Sequence, residues 1–437
     1  MRARSIAFLT IQVASNVLAA PAPQASAEAA PVVPESELPV DLATPLLSGV
    51  PEDALQAMQD LDEAAFQQVQ DSLIELEGEA TTEKKKKKRG LFSGCTLSKV
   101  QIRREWSTFT KTERKAYTDA VLCLQSKPAL TPAAIAAGAK SRFDDFVNVH
   151  IMQTMEIHYT GNFLSWHRYF VWLYEQALRN ECGYKGSQPY WNWGLTAIIG
   201  LEKSPHFDGS AYSLSGNGAP VASGGDVVLG GGNGLPPILI PTGTGGGCVT
   251  SGPFANMSVN QGPVNLDSPG GTIISNPEGP FAYNPRCLKR DLTDAINRQY
   301  ANASAILANI ALPRNIEDFQ LTMQGVPGSG NIGIHGGGHY SLGGDPGRDV
   351  FTSPGDPAFY LHHAMIDRVW YLWQALSPST RARGTSAVAG TRTFMNSPPS
   401  DNTTIEDLVD IPYTGGEAKQ IKDLLSTVSG SFCYVYL

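Results

Sequence analysis

The sequence predicts a mainly α-helical fold, a four-helix bundle with long irregular loops rich in glycine and proline. Apolar residues recur at helical spacing in several separate segments, which is the pattern of amphipathic helices. Residues 200–285 lack that period and are rich in glycine, proline and serine, so we expect a long irregular insertion there. With 437 residues, the chain could form one large domain or two to three ordinary ones.

Residues 1–20 have the pattern of a secretory signal peptide. Arg2 and Arg4 precede a short apolar stretch, and small residues follow it. The stretch is too short for a membrane anchor and is interrupted by Thr10 and Gln12. No later stretch has the length to span a bilayer, so we expect a secreted, extracellular protein with no membrane partner.

Residues 21–89 are expected to form an acidic propeptide and linker. Residues 21–50 are rich in proline and alanine, and Pro51 to Glu79 has the period of an amphipathic helix. Residues 21–83 hold 14 acidic and no basic residues, and a basic run follows from Lys84 to Arg89. Such a run can bind anions, but after an acidic segment we favour a site for a processing protease at Lys88-Arg89.

Residues 90–437 would then form the mature domain. They carry 27 acidic and 25 basic residues, a net charge of −2, so we expect no nucleic-acid partner. Three helices are expected from their apolar period: Lys99 to Leu124 (opened by Thr96 or Ser98), Asp144 to Met155 and Asp291 to Ile310. Three more are expected beside histidines: one after His167, one opened by His335 and one opened by His363.

Six of the eight histidines fall into two clusters of three. The first is His150, His158 and His167, and the second is His335, His339 and His363. Three neutral imidazoles bind first-row metals such as copper or zinc. Two such sets without cysteine ligands fit a redox pair better than structural zinc, which favours thiolates. His206, alone in the insertion, is expected to be a surface histidine or one satisfied by hydrogen bonds.

His335 and His339 have the i, i+4 spacing that places two imidazoles on one helical face. Three glycines separate them and are poor helix formers, so packing or metal would have to stabilise this turn. Phe163 and Phe359 each lie four residues before a histidine, so each ring is expected to cover the metal beside it.

The chain resembles the type 3 copper proteins, that is, tyrosinases, catechol oxidases and molluscan-type haemocyanin domains, and most closely a short fungal tyrosinase or catechol oxidase. The resemblance covers about residues 95–437. It depends on Phe-Leu-x-Trp-His-Arg at 163–168, Pro-Tyr-Trp-Asn-Trp at 189–193, Asp-Pro-x-Phe-x-Leu-His-His-x-x-x-Asp-Arg at 356–368 and Tyr-Val-Tyr at 434–436. It implies that 90–437 is a tyrosinase-like catalytic domain with two copper ions, a coupled binuclear type 3 centre at the middle of the helical bundle.

By this resemblance, His150, His158 and His167 bind one copper ion (CuA), and His335, His339 and His363 bind the other (CuB). His362 becomes a neighbour that supports the ligands. Asp367 is expected to pair with an arginine near the start of the domain, either Arg103 or Arg104. Two copper ions, each changing by one electron, would oxidise an o-diphenol to the o-quinone while O2 is reduced to water.

Three departures from the family pattern matter. Asn192 replaces the aspartate of many relatives, which we interpret as a packing variation. Glu156 precedes His158 by two residues, so the cysteine–histidine thioether of some fungal relatives is not expected. Gly336 follows His335 where several efficient monophenol hydroxylases have asparagine, a residue thought to orient a water that deprotonates the phenol. This favours oxidation of diphenols, with weak hydroxylation of monophenols.

Access to the site is expected to depend on a gate residue, for which Val350 is the candidate. By the same resemblance, Tyr434 to Tyr436 marks a short form that lacks the shielding C-terminal domain of long relatives. If the enzyme is latent, the acidic helix at 51–79 is the candidate shield. A small gate would admit bulky phenols, and Val350→Phe should raise the Michaelis constant for them.

All six cysteines lie in the mature part, and an even number in a secreted chain predicts three disulfides. Fifteen connectivities are possible. The pairing we expect is Cys95 with Cys433, Cys123 with Cys182, and Cys248 with Cys287. Asn256, Asn302 and Asn402 have the form of N-glycosylation acceptors.

Other functions fit the same histidines. These are a tyrosinase with full monophenolase activity, an o-aminophenol oxidase, a haemocyanin-like oxygen carrier, and a metal-storage protein without turnover. For the favoured function, oxidation of diphenols, the expected small-molecule partners are a phenolic substrate and O2.

Overall fold

The computed structural model describes residue 38 and residues 40–78, 95–230 and 236–437. Helices predominate, as predicted. Twelve α-helices lie in the described residues: α1 Ala43–Ser48, α2 Pro51–Gly78, α3 Lys111–Ser126, α4 Arg142–Ile157, α5 Phe163–Cys182, α6 Trp193–Ile199, α7 Asp294–Tyr300, α8 Ala303–Ala311, α9 Ile316–Gln324, α10 Gly333–Leu342, α11 Ala358–Ala375 and α12 Pro378–Arg381. Short 3-10 helices span Trp106–Thr108, Ser353–Gly355, Thr385–Ala387, Phe394–Asn396 and Ile421–Leu424.

The strands are short and pair in twos. They are β1 Gln101–Arg103, β2 Gly218–Pro220, β3 Val227–Gly230, β4 Pro237–Ile240, β5 Gly246–Val249, β6 Ser258–Val259, β7 Leu266–Asp267, β8 Ile273–Ile274, β9 Arg286–Cys287, β10 Leu408–Val409, β11 Lys419–Gln420 and β12 Tyr434–Tyr436. β1 pairs with β12 in parallel, whereas β2–β5, β3–β4, β6–β9, β7–β8 and β10–β11 are antiparallel. The insertion is therefore a set of small ribbons over a helical core.

Four helices form that core: α4, α5, α10 and α11. All 18 residues of α11 are buried, from Ala358 to Ala375, so this helix is apolar nearly all round and lies at the centre. α5 packs along α11, and α10 contacts it as well. α4 begins with a capping box between Ser141 and Asp144, which fixes where the first histidine-bearing helix starts.

Two helix predictions were wrong at their boundaries. Residues 101–103 form β1, because their backbone pairs with β12 at the other end of the chain, so the helix predicted from Lys99 begins only at Lys111. Thr110 and Glu113 form its capping box. The helix predicted from Asp291 is divided into α7 and α8. The break occurs at Asn302, whose side chain accepts a hydrogen bond from the Ala305 amide and caps the start of α8.

A buried polar network joins the two ends of the domain to the core. Asp367 on α11 accepts a hydrogen bond from Arg168 Nε at 2.5 Å and from the hydroxyls of Tyr434 and Tyr436 at 2.7 and 2.6 Å. Arg103 Nη1 lies 3.4 Å from the same carboxylate. Of the two arginines considered for this role, Arg103 is therefore the partner, whereas Arg104 pairs with Glu113.

Three disulfides hold the periphery. They join Cys95 to Cys433, Cys123 to Cys182 and Cys248 to Cys287, which is the pairing expected among the fifteen possibilities. Cys95–Cys433 closes the domain beside the β1–β12 pair. Within the described ranges, no helix is both long and apolar enough to cross a membrane.

The acidic helix α2 is docked on the core. It packs against α8, α11, α6 and β12, and its buried face includes Met58, Leu61 and Leu73. Asp62 on this helix forms a buried ion pair with Arg368, which follows Asp367 on α11. No described side chain of α2 lines the cavity at the histidines, so the described residues do not support the shield predicted for this helix. The signal peptide and the Lys84–Arg89 run lie outside the described residues.

Candidate metal centre

The first three histidines come from α4 and α5. His150 lies in the middle of α4, His158 directly follows its last residue with an extended backbone, and His167 lies in the second turn of α5. All three side chains are buried. Their ring centroids are 5.2 to 5.7 Å apart, and one nitrogen of each lies within 4.8 Å of the others.

The second group holds four histidines, one more than the predicted three. His335 and His339 lie one turn apart on α10, and His362 and His363 are neighbours on α11. One nitrogen of each lies within 4.8 Å of those of the other three. His363 Nε2 is 3.3 Å from His339 Nε2. The His362 ring lies on another side, against Trp193 at 5.0 Å between centroids.

The two groups face each other directly. The rings of His167 and His363 stack with centroids 4.4 Å apart, and those of His158 and His335 are 5.9 Å apart. Two metal ions held by these groups would therefore be close neighbours, as a shared two-electron reaction requires.

Backbone carbonyl groups orient several of the rings. Nδ1 of His150 lies 2.9 Å from the Phe351 carbonyl, Nδ1 of His158 lies 2.9 Å from that of Thr154, and Nδ1 of His167 lies 2.8 Å from that of Phe163. A carbonyl only accepts, so each Nδ1 carries the proton and each Nε2 keeps its lone pair. Nε2 of His150, His167 and His335 is buried without a hydrogen-bond partner among the described residues, as expected of nitrogens that bind metal.

Burial keeps these imidazoles neutral. It lowers the pKa of His158 to about 4 and that of His339 to about 3, and it lowers the pKa of the other five histidines of the two groups as well. At neutral pH they are already in the form that binds metal, without a proton to displace. The residues therefore fit two copper ions.

The three glycines between His335 and His339 allow close packing. A Cβ atom on Gly338 would lie 2.3 Å from the His362 ring, and one on Gly337 would lie 2.9 Å from the Tyr300 Cβ atom. Both distances are shorter than side chains tolerate. The helix therefore forms despite its poor propensity because α7 and α11 approach it closely.

The two predicted phenylalanines line the metal site. The Phe359 ring stacks on His363 with centroids 4.1 Å apart, and it meets His150 edge-on at 5.4 Å. The Phe163 ring lies 4.9 Å from His167 and 5.1 Å from His335. Each ring contacts both groups of histidines and keeps water from one side of the centre.

A cavity of about 540 Å³ opens onto the histidines. Its wall includes Val350 and Gly336, as predicted for the gate candidate and for the residue after His335. Further wall residues come from the insertion, from the loop after α9 and from the 3-10 helix Phe394–Asn396. These residues include Leu229, Ile238, Val326, Phe394 and Met395. Sequence reasoning missed this contribution, because β3 and β4 of the insertion give no sign in the sequence of where they pack.

His206 is not part of either group. It is buried, with Nε2 2.9 Å from the Glu105 carboxylate, so it is an internal histidine beside a carboxylate and not a surface residue. Asn192 also has a structural role, because its side chain accepts from the Gly194 amide at 3.1 Å and caps α6. The missed residues of the site are Tyr340, Asp267 and Arg348, which form one wall of the cavity.

The fold and the site define a class: a helical oxidase with two adjacent metal positions built from histidine. Residues 140–376 match the model of the common central domain of tyrosinase. The chain is 39% identical over 348 residues to Tyrosinase P of Aspergillus terreus, covering 79% of this chain and 95% of that one. It is also 39% identical over 353 residues to N-acetyl-6-hydroxytryptophan oxidase ivoB of Emericella nidulans, covering 78% and 93%.

A solved structure agrees with these relatives. It is a glycine-to-asparagine mutant of the polyphenol oxidase from Thermothelomyces thermophila, with 46% identity and a TM-score of 0.77 over 87% of this chain and 97% of that one. The chain belongs to the tyrosinase family of type 3 copper proteins, whose members bind two copper ions. It is a type 3 copper oxidase.

Proposed function

We propose that the protein oxidises o-diphenols to o-quinones and reduces O2 to water, with weak hydroxylation of monophenols. The observation that carries this proposal is the pair of facing histidine groups at the floor of a cavity large enough for a phenol. Two diphenols give up four electrons and four protons, which convert one O2 to two waters. This balance requires a centre that returns to its starting state after each pair of substrates.

In this proposal His150, His158 and His167 hold CuA, and His335, His339 and His363 hold CuB. His363 is favoured over His362 because it stacks on His167 between the groups, whereas His362 lies against Trp193 and Gly338. When bound, the copper pair supplies reversible two-electron transfer. The protein's residues orient the Nε2 atoms through the Nδ1 hydrogen bonds, and they exclude water with Phe163 and Phe359.

The preference for diphenols rests on Gly336. It lies in the cavity wall beside His335 and offers no side chain to hold a water that could deprotonate a monophenol. A diphenol releases its first proton more easily than a monophenol does, so it is less dependent on such help. Val350 in the same wall is the proposed gate, and its small side chain together with the large cavity favours phenols with bulky substituents. N-acetyl-6-hydroxytryptophan, named for one relative, is a phenol of that size.

Oxygen uptake with 4-tert-butylcatechol and then with tyramine tests the proposal on copper-loaded protein. We expect fast uptake with the catechol and slow uptake, or a long lag, with the monophenol. Gly336→Asn should raise the ratio of monophenol to diphenol rate severalfold, with Gly336→Ala as the control. A Cβ atom at this position lies 2.9 Å from that of Ile332, so both variants require the same small shift. Equal rates of the wild type on both substrates would make the protein a full tyrosinase, and reversible binding of O2 without turnover of either substrate would make it an oxygen carrier.

We further propose secretion after removal of residues 1–20, with processing of the 21–89 segment at Lys88-Arg89. The three disulfides support an oxidising compartment. Among the glycosylation acceptors, Asn256 and Asn402 are exposed, whereas both side-chain atoms of Asn302 are used in hydrogen bonds to Arg298 and Ala305. Mass measurement of the secreted protein, before and after removal of N-glycans, tests both points.

A further inference from the structure

One arginine of the cavity wall, Arg348, forms no ion pair with a described residue. Arg348 is partly buried and donates from Nε to the Asp267 carbonyl oxygen at 2.8 Å. Within the part of the chain that the structure describes, its two Nη groups have no hydrogen-bond partner and no carboxylate lies at ion-pair distance. Burial lowers the pKa of Arg348, whereas Tyr340 and three nearby carboxylates act in the opposite direction.

Three carboxylates act on Arg348 from a distance, and each has a hydrogen bond of its own. Asp291 accepts one from the Gly245 amide at 3.2 Å. Asp267 accepts a hydrogen bond from the Tyr340 hydroxyl at 2.7 Å, and burial raises the pKa of this carboxyl. Asp345 forms a two-bond pair with Arg286. Asp267 and Arg348 are the charged side chains among the described residues of the cavity wall, and the other wall residues are neutral or apolar.

Arg348 also lies close to the second histidine group. It follows Gly347, whose carbonyl oxygen lies 3.3 Å from Nδ1 of His339. Tyr340, which is bound to Asp267, follows His339 on α10. When a phenol ring approaches the histidine groups through this cavity, the substituents of that ring would therefore come close to Arg348.

We propose that Arg348 is a specificity-determining residue that binds a carboxylate on the side chain of the phenolic substrate. This inference rests on the proposed function and narrows its substrate class to phenolic acids. A planar guanidinium with two free Nη groups can bind a carboxylate through two parallel hydrogen bonds. Such an ion pair would give the two Nη groups the hydrogen-bond partners that they lack among the described residues.

The test compares 3-(3,4-dihydroxyphenyl)propionate with its methyl ester on the copper-loaded enzyme. We expect the wild type to favour the acid in kcat/KM. Arg348→Gln should lower the acid-to-ester ratio about tenfold or more, because a hydrogen bond to a charged group is lost. Arg348→Lys keeps the charge without the planar geometry and should give an intermediate ratio. Arg298→Gln, an exposed arginine on α7 outside the cavity, is the matched control.

A binding measurement separates this inference from the proposed function. Calorimetry with 3-(4-methoxyphenyl)propionate, which has no free phenol, should give a dissociation constant about tenfold weaker for Arg348→Gln than for the wild type. This difference tests the inference even if neither catechol is oxidised. Equal binding by both proteins would overturn it. Arg348 also borders a second cavity together with Lys289, so an equal loss in Lys289→Gln would place the anion there and overturn it as well.

A different observation supports a second inference, about α2. We infer that residues 40–78 are a permanent part of the folded enzyme and stay bound after cleavage in the basic run. The ion pair of Asp62 with Arg368 is buried, and it adjoins the Asp367 network that joins β1 and β12 to α11. Removing one partner of such a pair leaves an uncompensated buried charge. Release of α2 would also expose the apolar face against which Ala54, Leu61 and Ala65 pack.

Replacement of Lys84 to Arg89 with the site of a sequence-specific protease tests this inference on the full chain. After cleavage, we expect both pieces to elute together in size-exclusion chromatography with activity retained. Asp62→Ala should cause the small piece to separate. Asp71→Ala, an exposed position of the same helix, should not. Separation of the wild-type pieces with full activity in the larger one would overturn the inference.

Discussion

The two histidine groups are built differently, although each provides imidazoles to the same centre. In the first group all three Nδ1 atoms lie 2.8 to 2.9 Å from backbone carbonyl oxygens. Two of these carbonyls, those of Thr154 and Phe163, lie four residues before the histidine that they orient. Local helical geometry thus fixes the rings of His158 and His167 before any metal binds.

The second group depends on tertiary packing. Nδ1 of His339 lies 3.3 Å from its carbonyl partner, and Nδ1 of His363 has no partner among the described residues. The helix that carries His335 and His339 starts without a capping side chain and contains four glycines, three of them between the two histidines. Its position is fixed by Tyr300 and His362, which lie in contact with the glycines. Two of the three rings of the first site are therefore oriented by local structure, whereas the second site keeps its geometry only as long as α7 and α11 hold it.

The largest expected effect on activity is the difference between replacing His363 and replacing its neighbour His362 on α11. His363→Ala should reduce activity more than about 100-fold and lower the copper content towards one ion per chain, since it removes a ligand. His362→Ala should retain two copper ions and lose about 10- to 100-fold, the range for groups that only support a ligand. Elemental analysis and oxygen uptake measure both quantities. If His362→Ala is the variant that loses copper, the assignment of the second site is wrong.

A smaller effect is expected from the packing of α10. Gly338→Ala adds a methyl group 2.3 Å from the His362 ring and should displace it or the helix, with a loss of about 10- to 100-fold in activity. Gly336→Ala is the matched control, because its Cβ atom meets the Ile332 side chain and not a histidine. Similar losses in both variants would mean that any Cβ atom added to α10, and not the contact with His362 in particular, disturbs this site.

The same contrast explains what the sequence could predict. The histidines, the two phenylalanines and the core helices depend on spacing within short segments, and spacing is visible in a sequence. The start of α3 was missed because β1 pairs with β12, a contact between residues more than 300 positions apart. His206 could be recognised as unlikely to bind metal, but its partner Glu105 lies about 100 residues earlier in the chain.

The cavity wall was the least predictable part of the site. Gly336 and Val350 were found because they lie close in sequence to His335 and His339. Arg348 is two residues before Val350, yet its free guanidinium depends on Asp267 of the insertion, whose position no local pattern indicates. The packing of α2 on the core could not be predicted either, because no local pattern indicates its contact surface. Its amphipathic period was clear, but the period does not say which surface it covers.

The smallest expected effect is a difference in the rates at which the two copper ions leave. A competing chelator should remove copper in two phases, with the faster phase at least about tenfold faster, because groups that orient ligands contribute about that much to metal affinity. We assign the faster phase to the second site, where fewer Nδ1 atoms are held by short hydrogen bonds. Gly338→Ala should accelerate the faster phase alone, since it disturbs α10 and leaves α4 and α5 untouched. Loss of copper in a single phase, or acceleration of the slower phase, would show that the two groups hold metal equally and that the carbonyl contacts of the first group add nothing.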